Sequence, residues 1–428
     1  MKNQFHYTKQ TERALLVTVD LDEKNQWSVE DVGQELLDLA RSTGVEVVDE
    51  LICRRVEPSP KFYVGSGKAD EIMQICQESN IDTVIFNNDL SGTQQRNLEG
   101  ILGIKTIDRT QLILDIFAQH AHSPEGKMQV ELAQLEYLLP RLAGKGVMLS
   151  RLGGGIGTRG PGEQKLEVDR RRIRNKIDKL RQEISVVSLQ RKTVRKKRRE
   201  MNMPTIALIG YTNAGKSTLL NALVDAHQLV KNSLFTTLDT LSKRLALPNH
   251  QIVVVSDTVG FLYKLPHHLI EAFKATLEEV IEADLLLHVL DASHPNLYKL
   301  SEAVYGVLKE LESDDKPIIT VLNKIDKLVD RDWLLQLKRD FSNSVAISAL
   351  NRENLSELID LITRQFSRLV KELVIDLPLD RMDLVNLIHK EGQVKEVRYS
   401  AKSVYIRALV SSVTADKIDS YRLNHSSS

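Results

Sequence analysis

Cysteine is almost missing from this chain: Cys53 and Cys76 are the only two in 428 residues, and neither has a companion at metal-ligand spacing. That excludes a disulfide framework or a zinc module and suits a reducing compartment. Long apolar runs are missing as well. No stretch of 18 apolar residues occurs, so no segment is expected to insert into a bilayer as a spanning helix. The opening residues, 1–13, are polar and lack the apolar centre of a signal peptide. We therefore expect a cytoplasmic protein, for which only peripheral membrane association stays open. Net charge is missing too: 58 basic residues balance 58 acidic ones, so total charge points to no partner. His267-His268 and His120-x-His122 lack companion ligands and read as surface or packing residues.

What is present is unevenly spread. Residues 165–200 hold 15 basic and 5 acidic side chains, which leaves about −10 on the rest of the chain. One basic limb on an acidic body suits a polyanion. Leading into it, Met128, Leu132, Leu135, Leu139 and Leu142 fall at alternating spacings of four and three. Leu166, Ile173, Ile177, Leu180, Ile184 and Val187 continue the seam, so two helices joined by a loop are expected to pair as an antiparallel hairpin. Pro140 should bend or end the first helix. The joining loop, 143–162, carries eight of the 21 glycines along with Lys145, Arg151 and Arg159. Gly155-x-Gly157-x-x-Gly160 matches a dinucleotide fingerprint formally, but no strand precedes it. A glycine-rich cationic tip is better suited to close approach to folded RNA. The run from Arg191 to Arg199 adds phosphate-contacting capacity on the same hairpin. No DNA partner is expected, and a monomer suffices.

The fold class expected is multidomain α/β. Residues 1–122 read as an N-terminal α/β domain, with strands at Ala14–Val19, Val45–Ile52, Thr83–Phe86 and Lys105–Ile107. Gly65-Ser66-Gly67-Lys68 is read there as a turn opening a helix, because it lacks the four-residue gap of a phosphate loop. The hairpin takes 123–200, a doubly wound domain 201–370, and a small α+β domain 371–428, in which Val394–Tyr399 and Val404–Leu409 alternate.

The third domain carries the chemistry. Thr205–Ile209 is an apolar strand running into Gly210-Tyr211-Thr212-Asn213-Ala214-Gly215-Lys216-Ser217, the spacing of a phosphate loop. Backbone N–H groups would wrap the phosphates, Lys216 would reach the β/γ oxygens, and the Ser217 hydroxyl would ligate Mg²⁺. Thr218 is counted with the phosphate-binding residues. Asp257-Thr258-Val259-Gly260 ends another strand; Asp257 would hold Mg²⁺ through water, and the Gly260 N–H would sense the γ-phosphate. Asn323-Lys324-Ile325-Asp326 names the base. An aspartate can accept from guanine N1–H and N2–H₂, a donor pair that adenine lacks, while Asn323 serves N7 and loop packing and the Lys324 stem lies along the ring. Ser348-Ala349-Leu350 follows the next strand and would contact guanine O6. Between these motifs, Phe235-Thr236-Thr237-Leu238-Asp239 supplies a threonine to close over Mg²⁺ and the γ-phosphate; we favour Thr237 over Thr236. The ligand expected is GTP or GDP. Phe261 stands where many GTPases place a water-orienting glutamine. Slow intrinsic hydrolysis is therefore expected, with a partner or a rearranged loop completing the site.

Together these residues resemble the HflX family of translational GTPases. The resemblance rests on Val64–Lys68, Asp108-Arg109-Thr110, Glu125-Gly126-Lys127, the segment Leu152–Glu163, Asp169-Arg170-Arg171, and the nucleotide motifs with their hydrophobic residue at 261. It spans roughly residues 12–365. It implies binding to the large ribosomal subunit and its RNA, a glycine-rich tip approaching the peptidyl-transferase region, ribosome-stimulated hydrolysis, and splitting of ribosomes under stress. Use of GTP only as a timer in subunit assembly is the alternative. Some relatives also hydrolyse ATP. Asn213 stands where potassium-stimulated relatives carry an asparagine that helps bind K⁺, so K⁺ is a candidate ligand beside an ordinary loop-stabilising role.

Overall fold

A computed structural model describes residues 11–21, 27–142, 161–200, 203–224, 241–249, 251–261, 274–328, 331–367, 370–411, 414–415 and 418. It divides into two compact units, one running through Val186 and the other from Val187 on.

The first unit begins with four parallel strands, β1 (Arg13–Asp20), β2 (Glu46–Arg54), β3 (Thr83–Phe86) and β4 (Lys105–Asp108), in the order β2-β1-β3-β4. β-Branched runs make these strands, and helices α1 (Val29–Ser42), α2 (Ser66–Glu78), α3 (Gly92–Leu102) and α4 (Arg109–His120) alternate with them. Two helices begin with reciprocal caps. The Ser28 and Ser91 hydroxyls accept from the backbone three residues on, and Asp31 and Gln94 answer to the cap N–H. Leu15, Val17, Val84 and Phe86 pack with Ile72 and Leu98 on one face of the sheet. Gly65 stands at the head of α2 with φ +93°, so the turn expected there is present.

Helix α5 (Pro124–Arg141) opens on the Ser123 cap and ends one residue past Pro140. Helix α6 (Pro161–Glu200) is 40 residues long. The pairing expected from the seam is found: Leu132, Ile177 and Leu180 are buried together, flanked by Met128, Leu135, Leu139, Ile173 and Ile184. Arg181 adds an ion pair to Glu136 at 2.8 Å, and Lys176 pairs with Glu131. The glycine-rich stretch at 143–160 lies outside the described residues.

The second unit holds a six-stranded sheet in the order β10-β9-β8-β5-β7-β6. Its strands are β5 (Thr205–Ile209), β6 (Leu241–Ala246), β7 (Ile252–Asp257), β8 (Leu285–Asp291), β9 (Ile318–Asn323) and β10 (Ser344–Ala346). All neighbours are parallel except the edge strand β6, which runs antiparallel to β7. Helices α7 (Lys216–Val224), α8 (Lys274–Glu282), α9 (Leu297–Glu310), α10 (Arg331–Asp340) and α11 (Leu355–Phe366) complete it. Alternation along β8 splits the core. Leu285, Leu287 and Val289 join Leu208, Leu219 and Ile362, while Leu290 packs with Leu297, Leu322 and Leu337.

Residues 370–411 include a three-stranded antiparallel sheet, β11 (Val370–Pro378), β12 (Gly392–Tyr399) and β13 (Ser403–Ser411), in the order β11-β13-β12. Helix α12 (Met382–Glu391) contributes Leu384, Val385 and Ile388 to its core with Ile375 and Ile406. Sequence alternation marked two of these strands; β11 is the third. Among the described residues no helix is long and apolar enough to cross a membrane.

Candidate nucleotide-binding site

The site lies where strand C-termini meet loops, the position at which an α/β sheet leaves room for a ligand. From β5 the chain turns through the phosphate loop into α7. Gly215 takes φ +95°, and a Cβ there would stand 2.3 Å from Asn323 Nδ2, so no other residue fits. Asn213 also adopts a left-handed conformation, φ +59°, which asparagine tolerates better than most residues. Lys216 folds inward: Nζ donates to Gly210 O at 3.0 Å and to Tyr211 O at 2.8 Å. Burial pushes its pKa down to about 8, with Asp257 opposing the shift and Lys324 adding to it.

Ser217 Oγ donates to Asp257 Oδ2 at 2.6 Å, and Asp257 is 1% exposed. A hydroxyl and a carboxylate converging behind a phosphate loop are the hard-oxygen donors that Mg²⁺ requires, so these residues fit that ion. Thr258 is fully buried and donates to Leu208 O at 2.6 Å, which ties the Asp257–Gly260 segment to β5. Phe261 N donates to Gly210 O at 3.1 Å and Thr212 N to Phe261 O at 3.2 Å. This parallel bridge brings Tyr211 beside Phe261. The Phe261 ring is buried, 2% exposed. Phe235, Thr236, Thr237 and Leu238, the loop expected to close over the γ-phosphate, lie outside the described residues.

At the base end, Asn323 is 2% exposed and both ends of its amide are engaged. Nδ2 donates to Ala214 O at 2.9 Å, and Oδ1 accepts from Ala349 N at 3.0 Å. It therefore stitches the phosphate loop to the Ser348–Leu350 segment. Ser348 Oγ donates to Asp326 Oδ1 and accepts from Asn351 N. Ile325 N reaches Ile347 O at 3.3 Å. Leu350 projects outward, 74% exposed. Lys324 Nζ contacts Asn213 O and Asp291. Burial would raise the Asp291 carboxyl, but hydrogen bonds from Lys324 and Ser293 outweigh it and hold the pKa below the ordinary value.

Sequence reading thus collected residues that the fold brings together at the phosphate and base ends. It passed over Asp291, which ends an apolar strand and belongs to no motif; the Asp-x-Ser spacing with Ser293 was its one signal. It also passed over His288, fully buried on β8, whose ring nitrogens have no hydrogen-bond partner among the described residues. Among the described residues no group of three His, Cys, Asp or Glu side chains is placed to hold a metal.

Strand, phosphate loop and helix, with a magnesium-type carboxylate on the neighbouring strand and an Asn-Lys-x-Asp base motif, define a P-loop GTPase. Comparison with known proteins makes the assignment specific. Residues 30–118 match the family described as GTP-binding GTPase N-terminal, 120–198 its middle region, and 205–324 the family described as 50S ribosome-binding GTPase. GTPase HflX of Caldanaerobacter subterraneus subsp. tengcongensis is 42% identical over 411 residues, 96% of this chain and 94% of that one. GTPase HflX of Escherichia coli K12 is 42% identical over 370 residues, 86% of each chain. A solved GTP-binding protein from Sulfolobus solfataricus in complex with GDP is 27% identical and covers 84% of this chain and all of its own, with a TM-score of 0.44. The chain belongs to the HflX family, and it is a GTP-binding protein and GTP hydrolase.

Proposed function

We propose that this GTPase binds the large ribosomal subunit through its basic hairpin and uses its GTP cycle to dissociate ribosomes under stress. The observation that carries the reading is one chain holding both a nucleotide site and a paired hairpin whose second helix is rich in arginine and lysine. The match of 205–324 to the family described as 50S ribosome-binding supports it. In this reading the glycine-rich loop, 143–162, is the part that approaches ribosomal RNA, and the protein works in the cytoplasm as a monomer. The domains are taken as 1–122, 123–200, 201–370 and 371–428, a division supported by separate apolar clusters in the first, third and fourth.

The reaction is attack of water on the γ-phosphorus of GTP, forming a P–O bond as the bond to the β–γ bridging oxygen breaks, with GDP leaving. Lys216 neutralises charge on the β/γ oxygens, and backbone N–H groups from Gly210 to Thr218 hold the phosphates in place. Gly260 presents its N–H to the γ-phosphate; Thr258 and Val259 carry it there from Asp257. Ser217, Asp257 and Thr237 would hold Mg²⁺, which screens the phosphate charge when bound. Tyr211 and Thr212 would flank the phosphates, with Phe235, Thr236 and Leu238 expected there from the sequence, while Asn323, Lys324, Ile325, Asp326, Ser348, Ala349 and Leu350 would surround guanine. Asn213 is a candidate K⁺ ligand, although its left-handed turn already accounts for an asparagine there. ATP is a candidate side substrate. Phe261 carries no group able to orient water, so hydrolysis waits for an activator, here the ribosome.

The test is GTP hydrolysis by the purified protein with and without large subunits, while sedimentation follows intact ribosomes. Stimulation together with GTP-dependent splitting is expected, and Lys216→Ala should abolish splitting while RNA binding persists. Stimulation without splitting would move the reading to a switch in subunit assembly. Indifference to ribosomes would end it.

A further inference from the structure

The Lys324 head group has a fixed address. Nζ donates to Asn213 O at 2.6 Å and lies 2.8 Å from Asp291 Oδ2, with both side chains more than four-fifths buried. Asp291 is the last residue of β8 and stands in register with Asn323, the first residue of the base motif. Ala292 N continues that ladder to Asn323 O at 2.9 Å. The carboxylate is itself clamped. Its Oδ1 accepts from Ser293 Oγ at 2.6 Å and from Ser293 N at 3.0 Å, which leaves Oδ2 turned to Lys324. Trp333 Nε1 closes the same turn from α10, donating to Ala292 O at 3.0 Å. Meanwhile Lys324 occupies a left-handed backbone conformation, φ +63°, which an unbranched non-glycine residue keeps only when its surroundings hold it.

We propose that Asp291 is a positioning residue of the guanine site, whose carboxylate fixes Lys324 along the plane the base would occupy and so slows nucleotide release. The proposal rests on the reading of Asn323–Asp326 as the base motif. A lysine ammonium is a compact charge on a flexible stem. With one carbonyl and one carboxylate on Nζ, the stem has a single course past the phosphate loop. With the carbonyl alone, it loses its charged partner and the rotamer order that partner imposes. Asp291 touches no nucleotide atom in this scheme; it acts through Lys324.

Release of a fluorescent GDP analogue from the full chain tests this, using wild type, Asp291→Asn, Lys324→Met, the double variant and Ser293→Ala. Asp291→Asn should speed release roughly tenfold, the equivalent of about 1.4 kcal/mol. It should add little in the Lys324→Met background, because both changes remove one interaction. Ser293→Ala, which unclamps the carboxylate without touching Lys324, should speed release by a smaller factor. Wild-type release from Asp291→Asn would overturn the proposal, as would an undiminished effect of that change on top of Lys324→Met. Equal retention of guanine and adenine analogues by wild type would overturn the base-motif reading itself, a result visible before any variant is made.

Discussion

Two buried bases set how this protein should answer to pH. Lys216 has a pKa of about 8 against an ordinary 10.5. Between those values the unfolded chain holds a proton that the ligand-free fold gives up, so stability rises with pH across that window and the cost is fully present below pH 8. Phosphate oxygens reverse the preference, because they favour the ammonium. Nucleotide binding should therefore take up a proton above pH 8, and affinity should fall by up to about tenfold per pH unit there. Calorimetry in buffers of different ionisation enthalpy measures the uptake directly; pH-independent affinity between 7.5 and 9.5 would refute it. His288 shifts the same way for a related reason. Burial, reinforced by Lys216, lowers it to about 3 from 6.5, and its ring meets Tyr305 edge-on at 5.4 Å instead of a hydrogen-bond acceptor. Here too the unfolded state binds more protons, so stability is present above pH 6.5 and lost as pH falls toward 3. At pH 5 the loss is about 2 kcal/mol. His288→Leu should remove most of that acid sensitivity, which urea midpoints at pH 7.5 and 5 would reveal.

At the scale of elements, the bridge between the phosphate loop and the segment after Asp257 depends on close backbone approach. A Cβ on Gly260 would lie 2.7 Å from Thr212 Cγ2 and 2.9 Å from Thr212 Cα. Gly260→Ala should therefore force the two segments apart, costing about 1–3 kcal/mol of stability. GDP binding should survive it and GTP hydrolysis should not; unchanged hydrolysis would show that this approach is incidental. That bridge was not legible in the sequence, because it pairs residues 50 positions apart, Tyr211 and Phe261, through backbone atoms alone. The strands of the first sheet were legible. Thr83–Phe86 is an apolar β-branched run whose observed limits match the reading, while the start of α1 at Val29 is set by the reciprocal cap between Ser28 and Asp31. β6 escaped notice since its sequence, Leu-Ser-Lys-Arg-Leu-Ala, alternates weakly and only pairing with β7 holds it extended. β11 was passed over because it begins at Val370, where a domain boundary was drawn. The base and phosphate residues were legible as contiguous motifs, which their ligand chemistry imposes. Asp291 was not, because its role depends on a lysine that only the sheet brings beside it.

For the whole molecule, zero net charge conceals a polarity that should govern partner binding. The acidic residues inside the basic limb fall between 167 and 183 and at 200, whereas 184–199 holds seven basic residues and none acidic. Three of the four acids in the first stretch have a local cation: Glu167 lies 4.0 Å from Arg174, Asp169 3.8 Å from Arg172, and Glu183 3.7 Å from Lys179. Such pairs on a helix surface contribute little stability, but they neutralise positive charge that RNA would otherwise meet. The later stretch is thus the better counter-charge for phosphates, a distinction that total composition erases. The proposed binding to large-subunit RNA should then depend steeply on salt despite the neutral chain. If six or more phosphates are contacted, affinity should drop about 10³-fold or more between 50 and 200 mM salt. Replacing Arg191, Lys192 and Lys196 with glutamine should flatten the slope of log K against log salt by about 0.7–0.9 for each phosphate left without its cation. GDP affinity of the same variant should match wild type, since those residues lie outside every nucleotide motif. A slope that stays steep in the variant would assign RNA binding to another surface, and the hairpin would then serve only to carry the glycine-rich loop.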